Sequence, residues 1–79
     1  MEIKILGSGC SNCKRLEANT KEAIKALGIE ASVTKVEDIK EIMKYGVMST
    51  PALVINEKVK AFGKVLASDK IKKLIEEEL

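Results

Sequence analysis

The spacing of apolar positions changes several times along the chain, and the changes divide it into elements. Met1 to Leu6 alternates and then runs apolar at Ile3, Ile5 and Leu6, a short strand broken by Gly7, Ser8 and Gly9. From Ser11 the period becomes helical. Leu16, Thr20, Ala23, Ile24 and Leu27 fall on one face, and Lys14, Glu17, Lys21 and Lys25 fall elsewhere. Gly28 is placed to end this helix in the left-handed conformation. A second strand is expected within Ile29 to Val36, carried by Ala31, Val33 and Val36. Asp38 is a cap for a short helix with Ile39, Ile42 and Met43 on one face and Gly46 as its stop. Val47-Met48-Ser49-Thr50-Pro51 reads as a loop before a strand from Ala52 to Ile55. Asn56-Glu57 is a hairpin turn into Val59 to Phe62, and Gly63 ends that strand. Ser68 is expected to cap a last helix with Ile71, Leu74, Ile75 and Leu79 at helical spacing.

The predicted order is β-α-β-α-β-β-α. Strand–helix–strand alternation implies right-handed parallel crossovers in the first part, and the late hairpin adds an antiparallel strand. The fold class is therefore α/β, a mixed sheet of about four strands with helices on its faces. No repeat, low-complexity segment or linker interrupts the 79 residues, so 1–79 reads as a single domain. A chain this short buries only about 60% of its unfolded surface, and any chemistry must fit on one small scaffold.

Composition narrows the function. With 46% hydrophobic and 33% charged residues, the chain is too apolar for disorder. Lys and Arg exceed Asp and Glu by 14 to 12, with the signs interleaved, and the only aromatics are Tyr45 and Phe62. That excludes the basic, ring-bearing stripe of a nucleic-acid binder. Met1 to Leu6 is too short for a signal peptide and holds Glu2 and Lys4. No apolar run approaches the roughly 20 residues of a membrane span. A cytoplasmic monomer that engages no membrane and needs no cofactor is expected. In that compartment a cysteine pair is more often catalytic or metal-binding than structural. The absence of His, Gln and Trp, with abundant Lys, Glu and Ile, resembles heat-adapted proteins.

Cys10-Ser11-Asn12-Cys13 is the one constellation with obvious chemistry. It follows a strand and a Gly-Ser-Gly loop and opens a helix. Two intervening residues place the second cysteine one turn into the helix, within disulfide reach of the first. The first turn of a helix offers unpaired N–H groups and a partial positive charge. A thiolate at Cys10 is stabilised there, below the free value of about 8.5, and the thiolate is the attacking species in disulfide exchange. Lys14 and Arg15 add positive potential. Cys13 is expected to be buried and to act second. Three other readings stay open. Two sulfurs can carry a soft ion such as Cu(I), although a zinc site would need ligands from a second chain. The pair can be a static disulfide, which across so small a loop adds little stability. It can also be inert packing.

Pro51, the only proline, starts a strand, where its missing N–H is tolerated. Strand, C-x-x-C helix, strand, helix, Thr-Pro, hairpin and helix together resemble the small thioredoxin-like redox-active disulfide proteins of archaea and bacteria, which are glutaredoxin-sized. The residues that carry the resemblance are Gly7-Ser8-Gly9-Cys10-Ser11-Asn12-Cys13 and Thr50-Pro51-Ala52-Leu53-Val54-Ile55-Asn56, supported by Gly63 and the final helix. The resemblance spans essentially the whole chain. It implies a three-layer thioredoxin-like fold and a protein-disulfide oxidoreductase with Cys10 and Cys13 as its catalytic pair. It implies a cis peptide between Thr50 and Pro51, beside the disulfide, where the backbone before the proline pairs with an extended substrate. Gly9, Ser11, Asn12, Thr50 and Pro51 are then the substrate-binding residues. Protein disulfides are the substrates, and an upstream reductase is the partner. A redox-sensing module without turnover is the remaining use of the same fold.

The sequence departs from both well-known branches. Gly9 precedes Cys10 where thioredoxins carry Trp, and Ser11-Asn12 replaces Gly-Pro. Gly63 stands alone before Ser68-Asp69, without the Gly-Gly and Asp that hold glutathione, which speaks against glutathione use. No buried carboxylate that would assist proton transfer is identifiable, so water or a surface Glu or Lys must serve. Tyr45 and Met48 are read as cover for the small core, with an apolar rim for a partner as the other reading. Glu76-Glu77-Glu78 is read as a solvated, fraying helix end, since the dipole there prefers cations.

Overall fold

The structure, a computed structural model, describes residues 1–7 and 9–79. Among these, the elements are β1 (Glu2–Leu6), α1 (Ser11–Leu27), β2 (Ser32–Val36), α2 (Ile39–Lys44), β3 (Ala52–Ile55), β4 (Lys58–Phe62) and α3 (Ser68–Glu77). The order matches the expected one, with β2 beginning later and β4 earlier than the apolar pattern suggested. The four strands form one mixed sheet in the order β2-β1-β3-β4. β1 runs parallel to β2 and antiparallel to β3, and β3 runs antiparallel to β4. Only the connection through α1 is therefore a parallel crossover. The one through α2 returns the chain to the far side of β1 in the opposite direction, which strand–helix alternation does not encode.

Period-two alternation splits the core into two layers. Ile3 and Ile5 of β1 and Leu53 and Ile55 of β3 meet Leu16 and Ala23 of α1 and Ile71 and Ile75 of α3. Leu6, Ala52 and Val54 point the other way, onto Ile42 of α2 and Val47. All four residues of β3 are buried, as a central strand covered on both faces requires. The result is the three-layer α/β/α arrangement with helices on both faces.

Several local expectations are corrected. Ile39 and Met43 are each 67% exposed, and Ile42 alone anchors α2. A six-residue helix makes under two turns and can set only one large side chain on the sheet. Ser68 is the first helical residue of α3, and Ala67 holds the cap position without a side-chain hydrogen bond. Leu79 lies beyond the helix and is exposed. Met48 covers nothing, being 96% exposed, whereas Tyr45 packs against the Ile42 layer. Glu76 and Glu77 are exposed as expected, but Glu78 does not fray. Its carboxylate pairs with Lys58 at 3.2 Å and Lys60 at 2.8 Å, so two cations of β4 compensate the acidic helix end.

Gly28 ends α1 at φ 65°, its N–H bonding the carbonyls of Ile24 and Lys25. Asn56 and Glu57 both take positive φ, as a two-residue primed hairpin turn requires. That turn is tied to β1. Asn56 exchanges hydrogen bonds with Glu2, and the Lys4 ammonium donates to Glu57 at 2.6 Å and to the Tyr45 hydroxyl at 2.8 Å. The β3–β4 register shifts between Leu53 and Val54, whose partners are Ala61 and Val59. Lys60 is the extra residue of this bulge.

Candidate redox site

The site is built where β1 gives way to α1. Gly7 continues the sheet by donating to the Val36 carbonyl at 2.9 Å. A Cβ on Gly7 would run into Cys13 Sγ and lie 3.8 Å from Thr50 Cβ. The absence of a side chain thus lets the strand end, the sulfur and the Thr50 loop come together. Gly9 follows at φ 78°, a left-handed conformation that turns the chain into the helix. Ser8 lies outside the described residues.

Cys10 is the N-cap of α1, with φ −68° and ψ 163°. Its carbonyl accepts the first helical bond from the Lys14 N–H, and its Sγ accepts from the Cys13 N–H at 3.2 Å. A sulfur thus does what Ser or Asp does at most helix starts. Cys10 and Cys13 are joined in a disulfide, with Cα atoms 5.1 Å apart. Cys10 is exposed and Cys13 is 5% exposed. The first turn holds no acid, and Lys14 and Arg15 follow, so the potential at Cys10 is positive. Ser11 and Asn12 lie exposed on that turn.

The Thr50–Pro51 peptide is cis. Pro51 is buried, Thr50 is exposed, and the Pro51 carbonyl accepts from the Gly63 N–H at 2.9 Å, which fastens the loop to the end of β4. The structure therefore brings Gly7, Cys13 and Thr50 together, with Cys10 bonded to Cys13 and Pro51 next in the chain to Thr50, while Gly9, Ser11 and Asn12 are exposed.

Sequence reasoning missed two residues. A cavity of about 30 Å³ lies against Cys13, lined by Gly7, Gly9, Lys14, Glu17 and Lys35, among others. It has room for one water. The Glu17 side chain is only 16% exposed, with Lys35 at 3.7 Å and Lys21 at 3.6 Å. The signal for Glu17 was in the spacing, since it follows Cys13 by four residues and shares its side of α1. Lys35 was hidden, because only the β1–β2 register, with Ile5 opposite Lys35, brings it there. Among the described residues no three His, Cys, Asp or Glu side chains gather as a metal site, and no helix is long and apolar enough to cross a membrane.

Residues 1–76 match the family model described as thioredoxin domain. The chain belongs to the thioredoxin domain family. A thioredoxin of Methanothermobacter thermautotrophicus is 39% identical over 75 residues, covering 95% of this chain and 97% of that protein. A thioredoxin of Methanocaldococcus jannaschii is 36% identical over 70 residues, covering 89% and 80%. Two solved structures share the thioredoxin fold. The germline-specific thioredoxin Deadhead of Drosophila melanogaster superposes with a TM-score of 0.66 at 19% identity, covering 99% of this chain and 80% of its own. Thioredoxin 1 of Thermosipho africanus gives 0.63 at 20% identity, covering 99% and 93%. With thioredoxin relatives and a C-x-x-C pair closed at disulfide distance, the chain is a thiol–disulfide oxidoreductase.

Proposed function

We propose that this chain passes electrons to protein disulfides, with Cys10 as nucleophile and Cys13 as resolving thiol. The observation that carries the assignment is the asymmetry of the pair: Cys10 is an exposed helix cap, and Cys13 is buried beneath it. In the reduced protein the open N–H groups of α1 favour the Cys10 thiolate. It attacks one sulfur of a substrate disulfide. A Cys10–substrate bond forms, the substrate S–S bond breaks, and one substrate thiolate leaves. Cys13 then attacks Cys10 Sγ, closing the internal disulfide and expelling the second substrate thiolate. Two electrons have moved to the substrate, and a partner reductase returns them.

Cys13 must lose a proton before it attacks. Glu17, across the small cavity, accepts it, and Lys35 holds the carboxylate in place. The backbone of Thr50, an exposed residue, pairs with the substrate chain, with Pro51 positioning it and Gly9, Ser11 and Asn12 forming the opposite bank. The chain works as a single domain over 1–79, as a cytoplasmic monomer, on protein disulfides rather than glutathione.

Reduction of insulin, followed as turbidity with dithiothreitol as reductant, tests this. Wild type accelerates the reaction, and Cys10→Ser falls to background. Cys13→Ser in cell extract keeps its client as a mixed disulfide at Cys10. A Cys10→Ser protein that retains wild-type turnover would end the assignment.

A further inference from the structure

A groove of about 560 Å³ lies between β4 and α3, away from the sulfur pair, within the size range of real binding sites. Ala61, Leu66 and Leu74 give it an apolar floor, and Lys64, Lys70 and Lys73 stand around them. Among the described residues none of these three lysines has a carboxylate within ion-pair distance. A fourth, Lys60, is already answered by Glu78 at 2.8 Å, with Glu77 at 4.0 Å. The whole chain carries only two more cations than anions, yet this one lining holds four lysines against one glutamate. Phe62, also in the lining and 56% exposed, precedes Gly63, whose N–H is bonded to the Pro51 carbonyl. Through Phe62 and Gly63 one edge of the groove is therefore tied by the chain and one hydrogen bond to the loop that holds Thr50 and Pro51.

The geometry points to this groove as a docking site for an acidic segment of the protein whose disulfide is being reduced; the inference rests on the reading of Cys10 and Cys13 given above. From Lys70 to Glu77 the α3 wall is about 10 Å long at 1.5 Å per residue. That length fits about three residues of extended chain. Carboxylates on such a segment pair with Lys64, Lys70 and Lys73, while its stems cover the apolar floor. Strand addition is not the mode, because the bulge at Lys60 interrupts the free edge of β4. Nucleic acid suits the site less well. Phe62 is the only ring in the lining, and three free lysines make a short track for a phosphate backbone. Exposed charges of this kind act mainly on association, so the effect belongs in kcat/KM rather than in kcat.

The test compares peptides of equal length, each with one internal disulfide, flanked by three aspartates or by three serines. With dithiothreitol as reductant and its direct reaction with each peptide subtracted, wild type is expected to reduce the acidic peptide with kcat/KM about tenfold above the neutral one. The gap closes at high salt and in the triple variant Lys64→Gln, Lys70→Gln, Lys73→Gln, while both proteins reduce the neutral peptide equally. Equal kcat/KM for the two peptides with wild type overturns the proposal, as does an acidic preference that survives in the triple variant. A fluorescent single-stranded oligonucleotide that binds more tightly than the acidic peptide, and is lost in the triple variant, overturns it in favour of nucleic acid. Should wild type reduce neither peptide, the redox reading has failed instead. Fluorescence anisotropy of the labelled acidic peptide then decides for the groove: lysine-dependent binding upholds it, and none removes it.

Discussion

Gly7 shows how much of the site depends on one missing carbon. Its hydrogen atom faces Cys13 Sγ where any other residue would place a β-carbon. Gly7→Ala must displace either the sulfur or the end of β1, both of them in packed surroundings. Overpacking of this kind costs about 1–3 kcal/mol. Urea unfolding of the oxidised protein measures it, and a variant as stable as the parent would contradict the close approach. Glu17 makes the opposite point, a side chain whose role lies in what it faces. Glu17→Gln keeps the shape and removes the proton acceptor. Resolution of a Cys10 mixed disulfide by Cys13, followed by stopped flow, should slow on the order of 100-fold at neutral pH. An unchanged rate and pH profile would leave Glu17 as a surface ion pair. The pattern of the sequence placed Cys10, Cys13, Thr50 and Pro51 because motif and chain order carry them. It assigned Glu17 to the polar side of a helix, since a period describes which face a residue is on and not which neighbour waits there.

Elements are held by what their ends find. The C-terminal turn of α3 is acidic where the helix dipole favours cations, yet Glu78 is clasped by Lys58 and Lys60 of β4. The hydrogen bond from Lys60, and then that from Lys58, lower the Glu78 carboxyl below its ordinary value of 4.5. A carboxyl lowered on folding stabilises the protein above its unfolded value and loses that contribution as pH falls through the folded one. Wild type should therefore melt higher than Glu78→Gln at neutral pH, with the difference shrinking as pH drops below 4.5 and vanishing once Glu78 is protonated. A difference independent of pH would assign the effect to packing. This clasp could not be read from the helix alone, because both lysines arrive from a strand that the chain forms separately. The boundaries of α1 were legible for the opposite reason: the helical period that opens at Ser11 and the left-handed stop at Gly28 are local signals. Ile39 and Met43 misled because a two-turn pattern needs a longer helix than α2 to reach the sheet.

At the scale of the molecule, layer membership was written in the alternation of β1 and the unbroken apolar run of β3, while the direction of β3 was not. Nothing in the residues of α2 says on which side of β1 the chain will return; the pairing of Leu6 with Ala52 and Ile3 with Ile55 decides it. The same pairing leaves β4 as an outer strand, and there the register slip at Lys60 has a consequence for how molecules meet one another. An outer strand with an even row of free amides invites a neighbour to zip on, then another, toward a fibril. With one residue out of step and its cation turned to Glu78, this margin offers no regular row to copy. The slip at Lys60 thus takes from this margin the regularity that such templating between copies of the chain requires.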